Sequence, residues 1–120
     1  MSKAKILLAE DDITMISLLK TLLKMEGFEV VAIQADADVV AAVREESPDV
    51  LLMDVYLLNQ SGLEILDQLR SLDDVNGVRV IMSSGANLRD ECLRHGADGF
   101  LMKPYMPDDL IKLLEQTISA

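Results

Sequence analysis

The sequence predicts a doubly wound α/β sandwich of the flavodoxin-like type, a parallel sheet with helices on both faces. Three observations carry this. Five short apolar runs alternate with five segments of helical periodicity. The runs show little in–out alternation, as expected of strands buried on both faces. Each of four runs also ends in polar residues: Glu10 and Asp11, Asp54, Ser84, and Lys103. In open sheets of this class, ligands bind outside the carboxyl ends of the strands.

The elements follow in order. The first strand is expected over Lys5 to Ala9. The first helix carries Ile16, Leu19, Leu22 and Leu23 on one face and stops at Gly27, a residue suited to the turn after a helix. The second strand spans Glu29 to Ile33. The second helix runs from near Asp36 to Glu46 and ends before Ser47-Pro48, because a residue before proline avoids the helical region. The third strand is Val50 to Asp54. The third helix opens with Ser61-Gly62-Leu63-Glu64, which has capping-box spacing. The fourth strand spans Val78 to Ser83, with Ser84 closing it, and a short fourth helix covers Leu88 to His95 before Gly96. The fifth strand is Phe100 to Met102. The fifth helix begins at Pro107-Asp108-Asp109, proline in the first turn and acids near the positive end of the dipole. Its buried face is expected to be Leu110, Leu113, Leu114 and Ile118.

Right-handed crossovers between such strands give three layers. For five strands the commonest order is 2-1-3-4-5, with the switch point between strands one and three. That order sets Glu10 and Asp11 beside Asp54, with Ser84 and then Lys103 on the neighbouring strands.

Bulk composition narrows the function classes. The chain has 120 residues, half of them hydrophobic, so one folded domain over residues 1–120 is expected. Only 3% are aromatic, which makes the core aliphatic and Met-rich. The net charge of −10 disfavours direct binding to nucleic acid or anionic membranes. No apolar stretch is long enough for a membrane span, and Met1-Ser2-Lys3-Ala4-Lys5 leads into the first strand without a signal-peptide pattern. The single Cys92 excludes an internal disulfide and a cysteine-based metal cluster. A cytoplasmic protein is the expectation.

The site has a definite chemistry. Three carboxylates a few ångströms apart stay ionised together only if a cation joins them. With oxygen donors and no His or Cys nearby, Mg²⁺ suits them best, and it commonly keeps room for a phosphate oxygen. A carboxylate beside such a pocket is a candidate nucleophile that forms an acyl phosphate. Lys103 and a metal offset charge on the phosphoryl oxygens, and Ser84 is placed to hydrogen-bond one of them.

Four motifs resemble the receiver domain of two-component response regulators, of the chemotaxis-regulator type. They are Ile6-Leu7-Leu8-Ala9-Glu10-Asp11-Asp12, Leu51-Leu52-Met53-Asp54 with Gly62 beyond it, Val80-Ile81-Met82-Ser83-Ser84-Gly85, and Gly96-Ala97-Asp98-Gly99-Phe100-Leu101-Met102-Lys103-Pro104. The resemblance covers essentially the whole chain. It implies that Asp54 accepts a phosphoryl group from a sensor histidine kinase or a histidine phosphotransfer protein. It implies a Mg²⁺ site formed by Glu10, Asp11, Asp54 and the backbone carbonyl of Tyr56. It assigns Ser84 and Phe100 as the switch pair, Lys103 as the partner of the phosphate, and a cis bond between Lys103 and Pro104. A downstream protein is expected to read the face of the fourth helix, fifth strand and fifth helix. Beyond self-phosphotransfer and autodephosphorylation, no enzyme activity is expected.

The chain departs from the family pattern at three places. Leu57-Leu58 stand where Met-Pro is usual, so the loop after the third strand should be less rigid or differently turned. Gly85 replaces an alanine and loosens the next loop. Tyr56 is bulky where smaller residues are common, and its ring is positioned to shield a phosphoryl group from water. Plainer roles stand beside the functional ones: Asp12 as a helix cap, Phe100 as core, Tyr56 as an exposed loop residue, and His95 as a partner of a helix end.

Three rival functions share parts of the pattern. A haloacid-dehalogenase-type phosphatase also uses an aspartyl nucleophile, but needs a second carboxylate two residues on, where this chain has Tyr56. A flavodoxin-like cofactor binder wants a Ser/Thr-rich anion loop, where this chain has three acids. A phosphorylation-independent interaction module would not need the full set of site residues. The domain is expected either to stand alone or to belong to a larger regulator.

Overall fold

The computed structural model describes residues 4–34 and 36–119. Met1, Ser2 and Lys3, read above as the lead into the first strand, lie outside them. The main strands are β1 (Lys5–Ala9), β2 (Glu29–Ile33) and β3 (Val50–Asp54), all three with the expected bounds. Two short strands follow, β4 (Tyr56–Leu57) and β5 (Gln60–Ser61), then β6 (Arg79–Ser84) and β7 (Gly99–Met102). The helices are α1 (Ile13–Met25), α2 (Val39–Glu46), α3 (Gly62–Ser71), α4 (Arg89–Arg94) and α5 (Pro107–Ser119).

The five long strands lie parallel in the order β2-β1-β3-β6-β7, which is the expected 2-1-3-4-5 order. Side chains alternate across the sheet. Leu7, Leu51, Met53, Val80 and Met82 face α2 and α3, where they meet Val40, Val43, Leu66 and Leu69. Ile6, Leu8, Leu52 and Ile81 face α1 and α5, where they meet Leu19, Leu23, Leu110 and Leu114. Cys92 is fully buried in the first of these cores.

Local chemistry explains where helices start and stop. The Asp12 carboxylate caps α1 by accepting from the N–H of Thr14 (2.9 Å) and Met15 (3.2 Å). At its other end Gly27 has φ 93°, and Phe28 N–H returns to the Leu23 carbonyl at 3.0 Å, a Schellman closure. Helix α2 starts at Val39 rather than near Asp36. Both acids are suitable caps, but Asp38 is the one whose side chain accepts from a first-turn N–H, that of Ala41. Starting there puts Val39, Val40 and Val43 on the buried face. Ser61 caps α3 through Glu64 N–H, as its spacing implied. Helix α4 is shorter than expected by a residue at each end. In α5, Leu110, Leu114 and Thr117 are buried, whereas Leu113 and Ile118 are half-buried, so the stripe is turned slightly toward Thr117.

The hairpin β4–β5 was not expected. Its two-residue turn holds Leu58 at φ 43°, a left-handed conformation that leucine seldom adopts. The loop after the third strand, where Leu57-Leu58 stand, is thus a tight hairpin.

Candidate functional site

The register of three strand pairs assembles the site. Ala9 pairs with Met53, so Glu10 and Asp11 leave β1 beside Asp54, the last residue of β3. Asp54 pairs with Ser83, and Ser84 with Met102, so Lys103 leaves β7 on the far side. Lys103 N–H bonds the Ser84 carbonyl at 2.8 Å and fixes the lysine's origin, and the Lys103–Pro104 bond is cis. Gly62 is required behind the aspartate: a Cβ there would collide with the Asp54 backbone oxygen.

Both oxygens of the Asp54 carboxylate are engaged. Lys103 Nζ donates to Oδ2 at 2.9 Å, and Ser83 Oγ donates to Oδ1 at 2.7 Å. Lys103 also donates to Glu10 Oε2 at 2.9 Å, bridging two carboxylates. Glu10 Oε1 accepts from the N–H groups of Asp11 and Asp12, both at 3.1 Å. Asp54 is 6% exposed and Glu10 5%, while Asp11 faces solvent and accepts weakly from Leu58 N–H at 3.4 Å.

Burial and the neighbouring Asp54 push the Glu10 carboxyl above its usual range, against the pull of Lys103. Burial disfavours the Lys103 ammonium, but its bonds to Glu10 and Asp54 outweigh that and raise its pKa. Burial also raises the Tyr105 phenol to about 12. Glu10, Asp11 and Asp54 each bring a carboxylate oxygen within 4.8 Å of the others. Three carboxyl groups share one ammonium here, an arrangement whose mutual repulsion a bound cation would relieve. The donors are all hard oxygens, with no His or Cys among them, and so fit Mg²⁺.

A cleft of about 200 Å³ opens over the carboxylate, lined by Asp11, Asp54, Tyr56, Ser83, Ser84, Gly85 and Lys103. Ser84 lies one residue past the register partner of Asp54, and its Oγ accepts from Ala86 N–H at 3.1 Å. Tyr56 is 68% exposed at the rim. Phe100 is buried in the core on the α2–α3 side of the sheet. His95 follows α4 and pairs with Asp67 at 2.7 Å, away from the cleft.

Sequence reasoning missed Ser83, the hydroxyl that bonds Asp54. It was counted as part of an apolar strand. Strand register was the available signal: Val50 pairs with Arg79, and four steps along both strands bring Asp54 to Ser83.

A family model for the response regulator receiver domain matches residues 6–115. The chain belongs to this family. It is 38% identical over 108 residues to the transcriptional regulatory protein CpxR of Klebsiella pneumoniae, covering 89% of this chain and 46% of that protein. It is 30% identical over 112 residues to the DNA-binding response regulator MtrA of Mycobacterium tuberculosis, covering 91% of this chain and 48% of that protein. The chain therefore spans about half the length of these curated relatives.

Solved receiver structures share the fold. The chemotaxis response regulator CheY4 of Vibrio cholerae superposes with a TM-score of 0.87 at 24% identity, covering 97% of this chain and 99% of that one. The receiver domain of the sensor histidine kinase PA1611 of Pseudomonas aeruginosa superposes with a TM-score of 0.82 at 26% identity, covering 99% and 100%. That structure has a magnesium ion coordinated in its active-site cleft. In this receiver domain, among the described residues, no helix is long and apolar enough to cross a membrane.

Proposed function

We propose that this receiver domain is a Mg²⁺-dependent phosphoacceptor switch, with Asp54 taking a phosphoryl group from a histidine of a sensor kinase or phosphotransfer protein. One observation carries the reading. A buried carboxylate at the end of the central strand is held between an ammonium and a hydroxyl, with two more carboxylates beside it.

The residues divide the work as follows. An Asp54 oxygen attacks phosphorus, the bond from phosphorus to the donor nitrogen breaks, and its electron pair stays on that nitrogen, which takes a proton from water. Lys103 stays beside the reacting oxygens and offsets the charge that the phosphoryl group brings. Glu10 and Asp11, with Asp54 and the Tyr56 carbonyl, are the residues to hold Mg²⁺. When bound, the ion neutralises phosphoryl oxygens. Ser84, at the start of the next loop, is placed to bond a phosphoryl oxygen, and Phe100 supplies the buried aromatic partner of that switch. A downstream protein would read the face of α4, β7 and α5, where Met102 and Met106 are exposed. The net charge of −10 argues that this domain does not itself contact DNA, whatever a full-length relative binds.

The decisive experiment is labelling by phosphoramidate with Mg²⁺. Wild type should acquire an acid-stable, base-labile phosphoryl group, and Asp54→Asn none. Full labelling of the variant would place the acceptor elsewhere and end the proposal.

A further inference from the structure

We infer that Ser83 is a positioning residue for the chemistry of Asp54, holding Oδ1 and shortening the life of the acyl phosphate. This rests on Asp54 being the phosphoacceptor. The bond from Ser83 Oγ to Asp54 Oδ1 is 2.7 Å long, and both residues are almost fully buried. The two residues are register partners on adjacent central strands, so the bond is set by the sheet and not by a mobile loop. The neighbouring hydroxyl, Ser84, sits at the strand end and accepts from the loop N–H of Ala86. The two serines are therefore not equivalent.

The Ser83 bond has two consequences. First, it orients the carboxylate. With Oδ1 tied to Ser83, Oδ2 is the oxygen beside Lys103 and the one set to attack. In the phosphorylated state Oδ1 becomes the carbonyl oxygen of the mixed anhydride, and Ser83 keeps its proton.

Second, it changes the rate of return. In hydrolysis a water oxygen bonds to phosphorus, the bond from phosphorus to Oδ2 breaks, and the electron pair returns to the carboxylate. The water proton goes to solvent. Negative charge then spreads onto Oδ1, where the Ser83 hydroxyl already points. A hydrogen bond to a carboxylate is stronger than one to a neutral carbonyl. The bond therefore strengthens as the phosphoryl group leaves, and it makes Asp54 a better leaving group.

The test follows decay of the phosphoryl label at fixed Mg²⁺ and pH after donor removal, in wild type, Ser83→Ala and Ser83→Thr. Removing the hydroxyl should lengthen the half-life about three- to tenfold, where tenfold is ~1.4 kcal/mol of barrier. Ser83→Thr, which keeps a hydroxyl, should return it to within about twofold of wild type. A purely structural serine would lower the melting temperature of Ser83→Ala without changing the decay, and that result overturns the inference. Slow decay in both variants assigns the effect to packing and also overturns it. If Ser83→Ala does not fold, Ser83→Cys takes its place with the same expectation, because a thiol is a weak donor of similar size. Wild type that takes no label at all sinks the phosphoacceptor reading and this one with it. A labelled wild type that decays no faster than Ser83→Ala sinks this one alone.

Discussion

The two ends of the sheet carry charged clefts of opposite character. At the amino ends of β3 and β6, a cleft of about 440 Å³ is lined by Arg44, Asp49, Asp74 and Arg79. At the carboxyl ends, the cleft over Asp54 measures about 200 Å³. The larger cleft has two acids and two bases, and its Arg44–Asp74 pair, 2.6 Å apart, is about half-exposed on both sides. The smaller one is lined by Asp11, Asp54 and Lys103, and Glu10 lies beside them as a third carboxyl group; Glu10 and Asp54 are buried. Exposed, balanced pairs contribute little to stability. Buried, unbalanced charge is costly to keep, and a bound cation relieves it. Charge balance and burial, not volume, distinguish the end proposed here as functional.

Removing carboxylates should sharpen this contrast. The largest effect is expected at the metal. Mg²⁺ should raise the melting temperature of wild type by binding the native state, and Asp11→Ala should abolish that rise. Asp11 is the exposed member of the cluster, so its loss leaves the core intact. A scan with and without millimolar Mg²⁺ checks this, and an equal rise in the variant would break the comparison.

A middle-sized effect is expected at the rim. Tyr56 stands 68% exposed beside the cleft and offers no carboxylate or amide to orient water. Its ring should slow the approach of water to a phosphorylated Asp54, so Tyr56→Asn should decay several-fold faster, where ~1.4 kcal/mol is a tenfold change. Phosphate release after donor removal measures it, and decay at the wild-type rate would make Tyr56 an ordinary exposed residue.

The smallest effect belongs to the other end. The hydrogen bond from Arg44 lowers the Asp74 carboxyl below its ordinary 3.8. A lowered acid contributes stability above that value and loses it as pH falls through the folded pKa. Arg44→Ala should therefore cost little at neutral pH, and the difference from wild type should vanish in strong acid. Melting curves from pH 7 to about pH 2.5 test the sign. A difference that grew in acid would contradict it.

Much of this contrast was legible in the residues. Strands β1, β2 and β3 have the expected bounds because Pro48, Gly27 and the acids punctuate them clearly. Glu10, Asp11, Asp54 and Lys103 meet because strand order converts four distant residues into neighbours. The start of α2 was ambiguous, since Asp36 and Asp38 are chemically equal caps and only packing of the valines separates them. The β4–β5 hairpin carries a misleading signal, because its turn contains Asn59 but it is Leu58 that takes the left-handed state a turn normally gives to Gly or Asn. Ser83 was hidden by its place within an apolar run, where only register reveals its partner.

Gly62 turns the end of the central strand and the start of α3 into one mechanical part. Any side chain there, even a single methyl, must push against the backbone oxygen of Asp54, the proposed phosphoacceptor. In a saturation library, position 62 should therefore score with the acids and the lysine, although glycine brings no functional group. Intolerance at that position reports the shape of the site and not its chemistry, and a map of essential residues drawn from such data would include one that never touches a ligand.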